Sequence, residues 1–158
     1  MRKKAVSIVL LLGGLTGLLG AGGLTKDEMV KVFSSLEEAI PCPERPLLLV
    51  FFSLECHPCW DELFEMKYFL EKNGIPVDLV GISKEPEEEL RTFLTKYAFS
   101  YPVVSDRGKM LFRRFKVRLE PFCVILNRGT VLYQDDTNQD FFIRRDEVKR
   151  CLLEIASR

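Results

Sequence analysis

Apolar positions along this chain follow two rhythms that alternate. Leu47 to Phe52 is a short, unbroken apolar run, the pattern of a strand covered on both faces. It stops at Cys56-His57-Pro58-Cys59. Beyond that point Leu63, Phe64, Met66, Phe69 and Leu70 fall at helical spacing, and Pro58 suits a first helical turn, where its missing N–H costs nothing. This helix is expected to reach about Lys72, with Asn73-Gly74 as its cap. A strand at Val77–Ile82 follows, then a helix at Glu87–Tyr97 with Leu90, Phe93, Leu94 and Tyr97 inward. Next come a strand at Tyr101–Ser105 and a helix from about Lys109 to Phe115. Phe122–Leu126 and Thr130–Gln134 flank Asn127-Arg128-Gly129, a hairpin signal, and a last helix covers roughly Phe141 to Ala156.

The N-terminal part reads differently. Arg2, Lys3 and Lys4 precede an uncharged stretch from Ala5 to Leu24 of about membrane-spanning length. Residues 1–24 are therefore either a signal peptide or an uncleaved membrane anchor, with the basic end cytoplasmic. Both readings put residues 25–158, a single domain, outside the cytoplasm: periplasmic or on the exterior of the cell envelope, secreted or held to the inner membrane through residues 5–24. Thr25 to Glu28 reads as a capping box opening an amphipathic helix, with Met29, Val32, Phe33, Leu36 and Ile40 on one side. Pro41-Cys42-Pro43 and Pro46 end it.

Strands alternating with helices predict an α/β fold with a central sheet covered on both faces, and the final hairpin makes that sheet mixed. Lys+Arg and Asp+Glu are both 23, so bulk electrostatics recruits no nucleic acid. Glu87-Glu88-Glu89 suits the first turn of its helix rather than a metal site.

The chemistry gathers at the two thiols where strand gives way to helix. A helix N-terminus offers unpaired N–H groups and the positive end of the macrodipole, both of which stabilise a thiolate on Cys56. Such settings lower a thiol from about 8.5 to roughly 3.5–7.5. Cys56 is then the attacking sulfur, and Cys59, one turn on, the sulfur that resolves the mixed disulfide. Two other readings of the pair stand beside this one. A structural zinc site needs four ligands. His57 is the single His, and Cys42, Cys123 and Cys151 are scattered without a second Cys-X-X-Cys. An inert pair of core cysteines is the third reading.

The strand, CHPC and helix, with the downstream order from Cys42 to Ala156, resemble the thioredoxin superfamily. The order looks most like its extracytoplasmic thiol–disulfide oxidoreductases of the TlpA/ResA kind (AhpC/TSA-type). The resemblance implies a thioredoxin-like fold, no small cofactor, and a reductase of protein disulfides recharged by an electron-donor protein. It also implies a cis peptide bond before Pro121, with the backbone of Glu120 and Pro121 facing the substrate segment. Cys123, two residues on, lies on the same strand face as Pro121 and reads as a small core residue or a thiol near the active pair.

Three departures from the family pattern bear on redox tuning. Glu55 replaces the Trp usual before the first Cys, and its carboxylate opposes the thiolate. His57, beside Pro58 inside the motif, favours the thiolate when protonated and is otherwise a solvent-exposed spacer. Val50 stands where thioredoxin carries a buried acid, a role for which Glu55 and Asp78 are candidates. Two alternative functions remain. A peroxiredoxin-like peroxidase would want a proline where Leu49 stands. A copper or zinc carrier would want a distant His, and none follows His57.

Overall fold

A computed structural model describes residues 30–157. The leader and the Thr25–Glu28 capping box lie outside the described residues. In chain order the elements are β1 (Val32–Phe33), α1 (Leu36–Ala39), β2 (Leu47–Phe51), α2 (His57–Asn73), β3 (Asp78–Ser83) and α3 (Glu87–Lys96). They continue as β4 (Val103–Ser105), α4 (Met110–Arg114), β5 (Phe122–Asn127), β6 (Thr130–Gln134) and α5 (Phe141–Ala156). The strands form one sheet in the order β1-β4-β3-β2-β5-β6. β1 to β4, β4 to β3 and β3 to β2 are parallel, whereas β5 is antiparallel to both β2 and β6. The predicted mixed α/β sheet is therefore present.

The strand at the centre explains the layering. All five residues of β2 are buried. Successive side chains alternate faces, so Leu48, Val50 and Phe52 enter one core and Leu47, Leu49 and Phe51 the other. The first core takes residues of α2, α3 and α5: Leu63 and Met66, Leu90 and Leu94, Val148 and Leu152. The second takes Leu36 of α1 and Phe112 of α4, with Phe115 just beyond. Gly81 in β3 leaves room for side chains from the two flanking strands. A Cβ there would lie 3.0 Å from Phe52 Cε1 and 3.1 Å from a Val103 methyl.

One predicted element is wrong. Met29–Ile40 was expected to be one helix, but Val32–Phe33 pairs as an edge strand with Val103 and Val104, and only Leu36–Ala39 is helical. Ser35 caps this short helix. The Glu38 N–H donates to Ser35 Oγ (3.1 Å), and the Glu38 carboxylate accepts from the N–H (3.1 Å) and hydroxyl (2.7 Å) of Ser34. Arg91 of α3 fixes the strand by donating to the carbonyls of Val30 and Val32.

Candidate functional site

The site is built where β2 leaves the sheet. Phe52 N–H still pairs with Ile82 O at 2.9 Å. Beyond it the backbone N–H of Leu54 donates to Glu85 from the β3–α3 loop (3.2 Å), and Trp60 Nε1 donates back to Ser53 O (3.1 Å). Glu85 is itself held by the Ser83 hydroxyl. These bonds fix the turn that delivers Cys56 to the N-cap of α2, with Pro58 in the first turn. α2 then ends at Gly74, whose φ of 59° is left-handed, as its Asn-Gly cap predicted.

Cys56 and Cys59 form a disulfide with Cα atoms 5.3 Å apart. Cys56 is half-buried, whereas Cys59 is wholly buried. Cys56 thus keeps part of its surface in solvent, at the edge of a surface hollow, whereas Cys59 is enclosed. Glu55, His57 and Pro58 are exposed around them. The His57 ring packs on Trp60 with centroids 4.6 Å apart. The Glu120–Pro121 bond is cis. Glu120 lines a hollow of about 270 Å³ together with Cys56, Lys84, Phe112, Val117, Arg118 and Leu119. Lys84 Nζ stands 3.1 Å from the Glu120 carboxylate across it.

The buried acid missing at Val50 is found on α2. Glu62 is 2% exposed. Its Oε2 accepts from Arg145 Nε at 2.6 Å, and its Oε1 lies 3.9 Å from Cys123 Sγ. Glu62 is three residues past Cys59 and shares its helix face. Burial raises the Glu62 carboxyl above its ordinary value despite Arg145 beside it. Neither candidate named from sequence fills this place. Glu55 is exposed, and Asp78 faces Arg45 at 3.9 Å at the far end of β3. The sequence held one signal for Glu62: it interrupts the stripe Cys59, Leu63, Met66, Leu70, all buried.

A second polar group ties the cis-proline to α5. Arg144, 3% exposed, donates from Nη1 to Pro121 O (3.1 Å) and to Asp135 Oδ2 (2.7 Å). Asp135 also accepts from the Cys123 N–H (3.0 Å) and the Tyr133 hydroxyl (2.8 Å). Its carboxyl is raised, chiefly by burial. The Cys123 thiol, wholly buried beside these acids, is pushed well above its ordinary value by desolvation first. That suits a core residue rather than a nucleophile. Cys42 is exposed and Cys151 half-buried on α5; neither belongs to the disulfide. Among the described residues no three His, Cys, Asp or Glu side chains converge as metal ligands, and no helix is long and apolar enough to cross a membrane.

Comparison with known proteins agrees with this geometry. The AhpC/TSA family model matches residues 33–148. The thiol-disulfide oxidoreductase ResA of Halalkalibacterium halodurans is 28% identical over 83 residues, 51% of this chain and 47% of that protein. The chain thus spans about half the length of the curated relative it matches. A thioredoxin-like protein from Porphyromonas gingivalis superposes with a TM-score of 0.59 at 19% identity, covering 72% of this chain and 76% of the other. A putative DsbE from Chlorobium tepidum gives 0.58 at 18%, with 71% and 80% covered. StoA from Bacillus subtilis gives 0.54 at 18%, with 71% and 85% covered. At such identities these likenesses establish the fold, which is thioredoxin-like.

Proposed function

Because the chain belongs to the AhpC/TSA family, we propose that it is a thiol–disulfide oxidoreductase that reduces disulfides of extracytoplasmic proteins. The observation that carries this is the Cys56–Cys59 disulfide at a helix start, one sulfur accessible and the other buried. In the reduced protein the Cys56 thiolate, stabilised by the α2 N-terminus, attacks one sulfur of a partner disulfide. A partner thiolate leaves, and a mixed disulfide forms. Cys59 then loses its proton, attacks Cys56 Sγ and displaces the second partner thiolate. Two electrons have passed to the partner, and the 56–59 disulfide is left for a donor dithiol protein to reduce.

The surrounding groups divide the labour. Glu62, buried with a raised carboxyl on the Cys59 face of the helix, is the proton acceptor for the resolving step. The strand entrance at Glu120–Pro121 takes the extended partner segment as an added strand. Glu55 and His57, exposed on either side of Cys56, are the residues placed to tune its potential. The reductive direction draws on the resemblance to the TlpA/ResA kind, and the extracytoplasmic setting on the basic, apolar stretch at the N-terminus. The peroxidase alternative gains no support, since the proline position is occupied by Leu49, buried in β2.

A Cys59→Ser variant tests the core of this reading. It should accumulate a mixed disulfide through Cys56 with a disulfide-bonded protein substrate, visible on a non-reducing gel and lost on adding dithiothreitol. Equilibration of the unsubstituted protein with glutathione gives direction. A potential near the −270 mV of thioredoxin supports a reductase, and one near −120 mV, the DsbA value, overturns it.

A further inference from the structure

The chain is neutral overall, yet its charge is not evenly spread. From Arg107 to Leu119 there are six cationic residues and no carboxylate. This stretch carries α4 and the loop leading to Glu120, so it forms one wall of the hollow beside Cys56. A second hollow of about 430 Å³, lined by Lys84, Lys109, Phe112, Arg113, Lys116, Val117 and Arg118, shares four residues with the first. The two make one groove leading away from the accessible sulfur.

Two features mark this groove as a built surface. Its frame is rigid. Asp106, 7% exposed, accepts the N–H groups of Met110, Leu111 and Phe112 at 2.8–3.0 Å, so α4 is capped from within. Its cations also occupy positions that backbone sterics would give to glycine. Lys109 and Lys116 both have φ of 53°. Lys116 follows the C-cap of α4, with its N–H on Arg113 O and the Val117 N–H on Phe112 O, the bonding of a Schellman turn. Glycine adopts this conformation freely and lysine does not. A strained residue that keeps its charge points to a use for the charge. Among the described residues no carboxylate forms an ion pair with Lys109, Arg113, Lys116 or Arg118.

We propose that this groove docks an acidic polypeptide segment flanking the redox-active cysteine of the partner protein. The inference rests on the oxidoreductase reading and adds its substrate class. Charge complementarity fixes the sign, and the apolar floor of Phe112 and Val117, with Leu119 52% exposed at its rim, suits peptide side chains between the carboxylates. Steering by such a patch raises the association rate and fades with salt.

The test uses the full chain in non-ionic detergent and cysteine-free fluorescent peptides of about a dozen residues, one Glu-rich and one with Lys at the same places. Anisotropy should report binding of the Glu-rich peptide at about 20 mM salt and its loss at about 0.5 M. The K109G/K116G variant relieves backbone strain while deleting two charges, so it should melt no lower than wild type and bind that peptide about five- to tenfold more weakly. Equal binding of the two peptides, or an unaffected variant, overturns the proposal. So does tighter binding of an oligonucleotide or of anionic vesicles that the same variant loses, which would assign the groove to phosphate. Reduction of an uncharged low-mass disulfide by wild type separately tests the Cys56–Cys59 pair, so failure there strikes the oxidoreductase reading and leaves the binding result to judge the groove.

Discussion

Arg144→Leu is the most informative single change in the buried polar group behind the cis-proline. The side chains of Arg144 and Asp135 are each 4% exposed and meet at 2.7 Å. Removing one partner of such a pair strands the other, at a cost of about 3–5 kcal/mol. At roughly 3–4 °C per kcal/mol for a domain of this size, the variant should melt about 10–20 °C lower at neutral pH. The deficit should depend on pH. Burial already raises the Asp135 carboxyl, and Arg144 is among the groups that oppose this. Without the cation the folded carboxyl rises further, so the folded state holds a proton that the unfolded state has lost. Stability then falls as pH rises from the ordinary carboxylate range, near 4, through the folded value. The gap between variant and wild type should therefore widen from acid to neutral pH. The double variant R144L/D135N removes the stranded charge and leaves an amide oxygen for the Cys123 N–H, so it should recover about half of the loss. Thermal melts by circular dichroism between acid and neutral pH decide the matter. A cost below about 1 kcal/mol with no pH dependence would refute the view that this pair holds Pro121 in place.

Two further outcomes follow from contacts already described. Glu62→Gln should lengthen the life of the mixed disulfide by about a hundredfold, since the resolving thiol loses its proton acceptor, and should flatten the pH dependence of that step; rapid-quench trapping of the intermediate measures both, and an unchanged lifetime removes Glu62 from the mechanism. Gly81→Ala should destabilise by about 1–3 kcal/mol through overpacking against Phe52 and Val103, read from the urea midpoint at constant slope, and a neutral result would mean that these two side chains can move aside.

The elements legible in the sequence were those whose pattern has one solution. β2 is apolar throughout, β6 and α5 fall on their expected bounds, and Gly74 and Gly129 take the left-handed backbone that their turns require. The misread element was ambiguous in kind. Val32, Phe33, Leu36 and Ile40 fit a helix by spacing, but Val32–Phe33 is a two-residue edge strand, and its stability comes from Val103 and Arg91, distant in sequence. Short strands of this sort carry too few residues to set a period. The thiols were legible because spacing alone places them. The polar groups serving them were not, since an acid or arginine on a helix is ordinarily a solvated residue. Glu62 and Arg144 are buried only because the last helix brings Arg145 against the first and the hairpin brings Asp135 against the second.

The absence of an acid in β2 and the presence of one in α2 are two sides of one packing solution. Val50 pairs across the sheet with Cys123, and both small side chains enter the core that also holds Cys59. That leaves room for a carboxylate to descend from the helix, and Glu62 does so until its Oε1 meets Cys123 Sγ. A buried carboxylate needs a counter-charge. Arg145 supplies it from α5, at the position next to Arg144, which clamps Pro121. Consecutive residues of one helix thus hold the acid behind the cysteines and the backbone in front of them. Because helical neighbours diverge by about 100°, the two guanidinium groups reach different parts of the site from one rigid element. A shift of α5 would therefore disturb the Glu62 carboxylate and the Pro121 backbone together.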